Sequence, residues 1–171
     1  MSLPLSNIDK EELKSIEIVF FDFDGVFTDN YVYVSDQGHE SIKSNRSDGL
    51  GLLRLNKLGI KSKIISSEKN NVVLLRAKKL KIDCINNVSN KGDEIKKICE
   101  EISINPKKAM FVGNDINDIP AFKVVGFSVG VADSFEEIYP YISFITKSKG
   151  GEGVVREICD LFHNTYMNSS S

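Results

Sequence analysis

The sequence predicts an α/β protein: a doubly wound parallel sheet with helices on both faces and a small β-hairpin inserted early in the chain. Three observations carry that reading. Residues 16–21 form a nearly unbroken apolar, β-branched and aromatic run, the pattern of a strand buried on both faces, and shorter runs of this kind recur at 62–65, 83–85, 109–112 and 127–129. Segments with helical apolar spacing lie between them, and strands alternating with helices build βαβ units. The length, 171 residues, suits one domain of about 100–200 residues and leaves no room for a second core.

Taken in order, residues 1–17 mix Lys10, Glu11, Glu12 and Lys14 with scattered apolar residues, which is no signal peptide. The first apolar run ends in Asp22-Phe23-Asp24-Gly25. Alternating Tyr31-Val32-Tyr33-Val34, the turn Ser35-Asp36-Gln37-Gly38 and residues 39–44 read as a hairpin flap over about 30–44. Four helices follow from apolar spacing: Leu50, Leu53, Leu55 and Leu58 before Gly59; Val72, Leu75 and Leu80; Ile95, Ile98, Cys99 and Ile102; Val155, Ile158, Leu161 and Phe162. Each pairs an apolar stripe with a charged face such as Lys78, Lys79 and Lys81 or Glu100 and Glu101. The core is expected from about residue 16 to 162, with a mobile tail from about 164 to 171.

Composition excludes several functions. Lys+Arg number 22 against Asp+Glu 24, a net charge of −2, so no basic surplus drives counterion-release binding to nucleic acid. No run of about 18 apolar residues spans a membrane. Cys84, Cys99 and Cys159 are odd in number without C-x-x-C pairing, which suggests neither a disulfide framework nor a zinc ribbon and reads as a reducing cytoplasm. They read as small buried hydrophobes. His39 and His163 have no partner spacing for metal or triad work.

In open α/β sheets, ligands sit beyond the carboxyl ends of the strands. Four such ends carry polar chemistry here: Asp22 and Asp24 with Thr28 and Asp29; Ser66, Ser67 and Glu68; Lys91; and Asn114 and Asp115 with Asp118. Alone, a D-x-D turn is a solvated acidic turn or a helix cap. Matched by three other polar strand ends, two adjacent carboxylates become a place for a cation or a shared proton. A hard divalent ion such as Mg²⁺ takes oxygen ligands and leaves room for phosphate oxygens. One carboxylate can then act as nucleophile and the other as general acid.

The run from Asp22 to Asp29, DFDGVFTD, resembles the first motif of the haloacid dehalogenase (HAD) superfamily of phosphohydrolases. Ser66 ends a second-motif run, Lys91 stands at the third motif's lysine, and residues 112–118, VGNDIND, resemble the fourth. The early hairpin, the Asp48-Gly49 helix start and residues 150–157, GGEGVVRE, resemble the small capless branch acting on 2-keto-3-deoxy sugar acid phosphates, including 3-deoxy-D-manno-octulosonate 8-phosphate phosphatases and phosphatase units associated with cytidylyl-sialic acid synthesis. The resemblance implies a Rossmann-like fold, Mg²⁺ as cofactor and an aspartyl-phosphate mechanism. Asp22 would be the nucleophile, Asp24 the general acid and base, Ser66 a donor to a phosphoryl oxygen and Lys91 a charge neutraliser. Backbone amides after Asp22 and near Ser67 would complete the phosphate cradle. Asp22, Asp24, Asn114 and Asp115 are the implied metal set, with Asp118 in support. Thr28, Ser67, Glu68, Lys79 and Arg46 are assigned to the substrate.

Two departures stand out. Asn114 occupies the place where the family usually puts a metal-holding aspartate. Ser47 stands where relatives often place Arg before Asp-Gly, with Arg46 one position earlier. Octulosonate 8-phosphate phosphatases generally carry Gly-Arg after the second-motif hydroxyl, a cation suited to a substrate carboxylate; Glu68 here resembles the branch acting on nine-carbon acids. The reading therefore leans to a nonulosonate 9-phosphate, with octulosonate 8-phosphate as one alternative and an oligomerisation module linked to a cytidylyltransferase as another. Residues 150–153 are either a flexible lead into the last helix or, through its amides, an anion site. The exposed apolar hairpin and the resembling family imply a homotetramer formed through it.

Overall fold

The computed structural model describes residues 2–168. Strands β1 (Leu3–Pro4), β2 (Ile18–Phe21), β5 (Lys61–Ile65), β6 (Asp83–Ile85), β7 (Ala109–Gly113), β8 (Phe127–Gly130) and β9 (Phe144–Ile145) form one parallel sheet, ordered β1-β9-β8-β7-β2-β5-β6. Strands β3 (Thr28–Val34) and β4 (Glu40–Ser44) pair antiparallel as the expected hairpin, with an irregular register between Thr28 and Val32. The helices are α1 (Lys10–Lys14), α2 (Ser47–Lys57), α3 (Val72–Leu80), α4 (Lys91–Glu101), α5 (Ile119–Phe122) and α6 (Val154–Met167).

The sheet has a core on each face, and strand alternation assigns residues to them. Val19, Phe21, Ile64, Met110 and Val112 join Leu52, Leu55, Val155 and Ile158 in one cluster. Ile18, Phe20, Ile65, Ala109 and Phe111 meet Ile95, Ile98 and Phe122 in the other. This is why the central runs are continuously apolar: both faces of β2 and β7 are covered. The chain leaves β2 for β5 and β6 on one side, then returns to β7, β8 and β9 on the other. The winding thus reverses beside β2, and the crevice at the carboxyl ends of β2, β5 and β7 is the topological switch point.

The structure corrects several sequence expectations. The core does not begin at residue 16, because Leu5, Ile8 and Leu13 are buried in the first cluster. The edge strands β1 and β9 are two residues each, too short for periodicity to reveal. The tail expected from residue 164 is helical through Met167, with Thr165 buried and the Tyr166 hydroxyl donating to the Lys14 carbonyl at 3.5 Å; residues 169–171 lie outside the described residues. Leu50, Leu53 and Leu75 are exposed, so they do not form the buried stripes. Gly51, Leu52 and Leu55 are the buried residues of α2 that follow Asp48, and Val73 and Ala77 those of α3. Cys99 and Cys159 are buried and Cys84 partly so, all as free thiols. Among the described residues no helix is long and apolar enough to cross a membrane.

Candidate active site

Asp22 is the first residue past β2, its amide still bonded to the Val112 carbonyl, so the sheet itself sets its position. It is 4% exposed. Its Oδ1 accepts from the Phe23 amide at 2.7 Å and from Lys91 Nζ at 2.6 Å. Lys91 opens α4, whose start is fixed by Asn90, the carboxamide oxygen accepting from the Asp93 amide. Buried to 1%, Lys91 bridges Asp22 and Asp118, whose Oδ1 lies 2.7 Å away. Asp118 Oδ2 accepts the Asn114 and Asp115 amides at 2.8 and 3.2 Å. One carboxylate thereby ties the third-motif lysine to the fourth-motif loop.

The charges perturb one another as low-dielectric burial requires. Burial raises the Asp22 pKa and the Asp118 carboxylate raises it further, while Lys91 and the Phe23 amide pull it down. Burial works against the Lys91 charge, but Asp22 and Asp118 outweigh it and hold the lysine above its ordinary value. Asp24 is raised by burial and by the Glu68 carboxylate, against the pull of Lys91. Both carboxyls are therefore raised, Asp22 to about 7, and the pair sits at one end of the sheet with Lys91 opposing the shift of each.

Asp22 and Asp24 open into a cavity of about 290 Å³ walled by the second-motif loop on one side and the fourth on the other. Ser66 is buried, and its hydroxyl oxygen accepts from the Glu68 amide at 3.1 Å, which leaves the O–H free to donate. Ser67 and Glu68 line the wall; Ser67 Oγ accepts from Asn117 Nδ2 at 3.3 Å across the mouth. A separate cavity of about 380 Å³ lies at the amino ends of the strands, lined by residues such as Leu52, Ile60, Leu80 and Ile102, and holds none of this chemistry.

Asn114 is 4% exposed, and its carboxamide oxygen is buried with no hydrogen-bond partner, in the same cavity as Asp22 and Asp24. A buried acceptor without a donor costs about 1–3 kcal/mol. A cation relieves it. All the donors here are oxygens, which suits Mg²⁺. Among the described residues no three His, Cys, Asp or Glu side chains group as a metal site; the Asn114 carboxamide oxygen is a further oxygen donor lining the same cavity as Asp22 and Asp24. Gly25 makes room for it: its φ is +80°, and any Cβ there would collide with the Asn114 side chain.

Other expected residues fall elsewhere. Asp115 lines the cavity, but its Oδ1 caps the following turn, accepting the Ile116 amide at 2.7 Å. Thr28 does not reach the substrate space. It is fully buried, and its hydroxyl accepts the Gly25 and Asn30 amides, both at 3.2 Å. Lys79 is exposed in the last turn of α3, a helix that starts at the site end of the sheet and runs away from it. Seven residues of helix from Val72 carry Lys79 roughly 10 Å from the cavity end. Arg46 is exposed at the cap of α2 and does not line the cavity; Arg76 instead donates to the Asn45 carbonyl at 3.0 Å. The Phe23 amide, expected in the phosphate cradle, is spent on Asp22.

Residues 150–153 are neither a loose lead nor an open anion site. Gly150 packs so tightly on the Gly25 and Thr28 carbonyls that a side chain could not fit, and the Gly151 amide donates to the Val26 carbonyl at 3.2 Å. The α6 amide of Arg156 donates to Asp48 Oδ1 at 3.2 Å, so the protein supplies its own anion there. The loop buttresses the acidic turn from behind. Sequence reasoning missed Asn30, Ile116 and Asn117, which also line the cavity. Only their position beside the motif residues marks them in the sequence.

Comparison with known proteins matches this arrangement. Residues 55–158 match the haloacid dehalogenase-like hydrolase family. The 3-deoxy-D-manno-octulosonate 8-phosphate phosphatase of Escherichia coli is 33% identical over 159 residues, covering 92% of this chain and 85% of that protein. The structure of the same phosphatase from Yersinia pestis superposes with a TM-score of 0.87 at 29% identity, covering 95% of this chain and 88% of its own. That from Moraxella catarrhalis, in complex with a magnesium ion, a phosphate ion and a KDO molecule, gives 0.86 at 27% identity, covering 95% and 97%. With Asp22, Asp24, Lys91 and Asp118 assembled at the switch point, the chain belongs to the haloacid dehalogenase-like hydrolases and is a phosphatase.

Proposed function

We propose that the chain is a Mg²⁺-dependent phosphomonoesterase acting on a 2-keto-3-deoxy sugar acid phosphate. The observation that carries the chemistry is the Asp22 carboxylate, fixed through Oδ1 by Lys91 and the Phe23 amide. Both donors hold Oδ1, which leaves Oδ2 to attack phosphorus. The Oδ2–P bond forms as the bond from phosphorus to the sugar oxygen breaks, and Asp24 gives its proton to the departing alkoxide. Asp24, now ionised, takes a proton from water, whose oxygen displaces Asp22 and releases inorganic phosphate. Ser66 donates to a phosphoryl oxygen, and Lys91 favours the ionised form of the nucleophile; the work is positioning and electrostatic stabilisation. Asp22, Asp24 and the Asn114 carboxamide oxygen would hold Mg²⁺, whose contribution is charge neutralisation on the phosphoryl oxygens. An inert scaffold would have no use for a buried lysine between two carboxylates.

The relatives favour octulosonate 8-phosphate as the substrate. Glu68 favours a second reading, a nine-carbon acid. It lines the cavity, and among the described residues no Lys or Arg lines the cavity with it, so the cation that the eight-carbon branch generally carries at this position is replaced by a carboxylate that can accept from sugar hydroxyls. Tyr31, Val32, Tyr33 and Val34 are 52–71% exposed, an apolar edge that supports assembly of a tetramer through the hairpin. Light scattering that finds a monomer at micromolar concentration refutes the assembly.

The test is phosphate release with Mg²⁺ over a panel of eight- and nine-carbon sugar acid phosphates, with Asp22→Asn as control. Release by the native protein and none by the variant is expected; equal rates overturn the mechanism. Glu68→Arg should shift kcat/KM toward the eight-carbon substrate, and an unchanged preference refutes the nine-carbon reading.

A further inference from the structure

A second cavity of about 290 Å³ adjoins the acidic one, and Asn30 and Asn114 belong to the walls of both. The acidic cavity provides the nucleophile, the acid and the metal donors, which receive the phosphoryl group. The organic part of the substrate must leave past its rim. Asn114 is buried between the cavities, whereas Asn30 is exposed where they meet.

Asn30 is held there under strain. Its φ is +65°, in the left-handed region that side chains other than glycine's adopt at a cost, and its amide is fastened to Thr28 Oγ1 at 3.2 Å. Glycine would sit in this backbone freely. The strain therefore secures one thing glycine cannot provide, a carboxamide at the junction.

The second cavity has the chemistry of a polyol site. Phe135 and Tyr31 supply exposed rings, and Asp29 and Asp133 supply carboxylates. Lys43 lies 3.5 Å from Asp29, and the Gly150 amide donates to Asp133 Oδ1 at 2.9 Å, so both carboxylates are held in place. Aromatic faces pack against sugar C–H groups, and carboxylates accept from hydroxyls. Two acidic residues disfavour an anionic group, so the carboxylate of a sugar acid stays out. In a sugar acid phosphorylated at its far end, the carbons next to the phosphate carry hydroxyls and the carboxylate lies at the opposite end.

We propose that Asn30 is a specificity-determining residue: its carboxamide hydrogen-bonds a hydroxyl of the leaving sugar as that chain passes from the acidic cavity into the second, against Phe135. The inference rests on the sugar acid phosphate reading above and extends it to a subsite. It assigns the selection of the alcohol to the root of the hairpin.

The test compares two substrates, a sugar acid phosphate and p-nitrophenyl phosphate, whose leaving group has no aliphatic hydroxyl. For Asn30→Gly, kcat/KM on the sugar acid should fall about tenfold further than on p-nitrophenyl phosphate, chiefly through KM, the loss of one hydrogen bond to substrate. Phe135→Ala should act in the same direction. Asn30→Gly removes backbone strain, so its thermal midpoint should equal or exceed that of the native protein. Equal losses on both substrates, or no loss on the sugar acid, overturn the inference while the substrate reading stands. A native protein that cleaves p-nitrophenyl phosphate but no sugar acid phosphate overturns the substrate reading, and this inference with it.

Discussion

Replacing Lys91 by Met separates the electrostatic frame of the site from its packing, because Met keeps most of the stem's volume and loses the charge. In the native protein the ammonium lies 2.6 Å from Asp22 and 2.7 Å from Asp118, with all three side chains at most 6% exposed. Removing one partner of a buried ion pair costs about 3–5 kcal/mol, since the others remain uncompensated. For a chain of this size each kcal/mol lowers Tm by about 2–4 °C, so Lys91→Met should lower Tm at pH 7 by roughly 6–20 °C. The measurement is made in EDTA, so that no bound cation substitutes for the lysine. Catalysis should fall by about 100-fold or more in kcat, the scale of losing a charge-stabilising donor. Asp118→Asn in the Lys91→Met background removes one of the two repelling carboxylates and should restore part of the lost Tm without restoring kcat. A Tm within about 2 °C of native, or a double variant less stable than Lys91→Met alone, refutes the reasoning.

Two other perturbations test the charges around the site. Burial raises the Asp48 pKa to about 6 against the pull of the Arg156 amide, Arg76 and Arg156, and its Oδ2 has no hydrogen-bond partner. A carboxyl with a raised native pKa binds its proton more tightly folded than unfolded, so stability falls as pH rises from about 4 through about 6. From the ordinary 3.8 to about 6, the loss is about 3 kcal/mol. Asp48→Asn keeps an acceptor for Arg156, and the native-minus-variant difference in denaturant midpoint should decline over that window; a flat difference would falsify the assignment. Asn114→Asp adds a charge to the oxygen donors, so calorimetric titration with Mg²⁺ should show affinity at least tenfold tighter. Without metal the same variant crowds Asp22 and Asp24, and its Tm should drop; unchanged affinity would remove Asn114 from the metal set.

Much of the fold was legible because the central strands satisfy two cores at once. Val19 and Phe21 face one layer and Ile18 and Phe20 the other, which leaves an apolar signature with no competing reading. The motif residues were legible for a related reason: each follows a strand or opens a helix at one end of the sheet, so order along the chain reports position in space. What sequence could not show was contact across the sheet. Leu50 and Leu53 share helical spacing with Leu52 and Leu55, yet Gly51 marks the face of α2 that α6 approaches, with Arg156 Cα about 3.1 Å from where its side chain would begin. The buried stripe is set by that approach.

The same limit explains the site. Thr28, Asp115 and residues 150–153 are polar or glycine-rich and near the motifs, which made them candidates for ligand contact. Each is used by the chain on itself: Thr28 on two amides, Asp115 on the next turn, and the glycine loop on the back of the acidic turn. Buried polar groups must be paired, so a polar residue beside a site is committed to the fold unless its atoms are left over. Asn114 Oδ1 is left over, buried and without a donor beside two carboxylates. Asp48 Oδ2 is orphaned too but lines neither cavity at the site, so it is the orphaned atom together with its place in the acidic cavity that marks Asn114. The substitution of Asn for the family's usual aspartate keeps an oxygen donor and gives up one charge, so Mg²⁺ should bind less tightly than it would to an aspartate there.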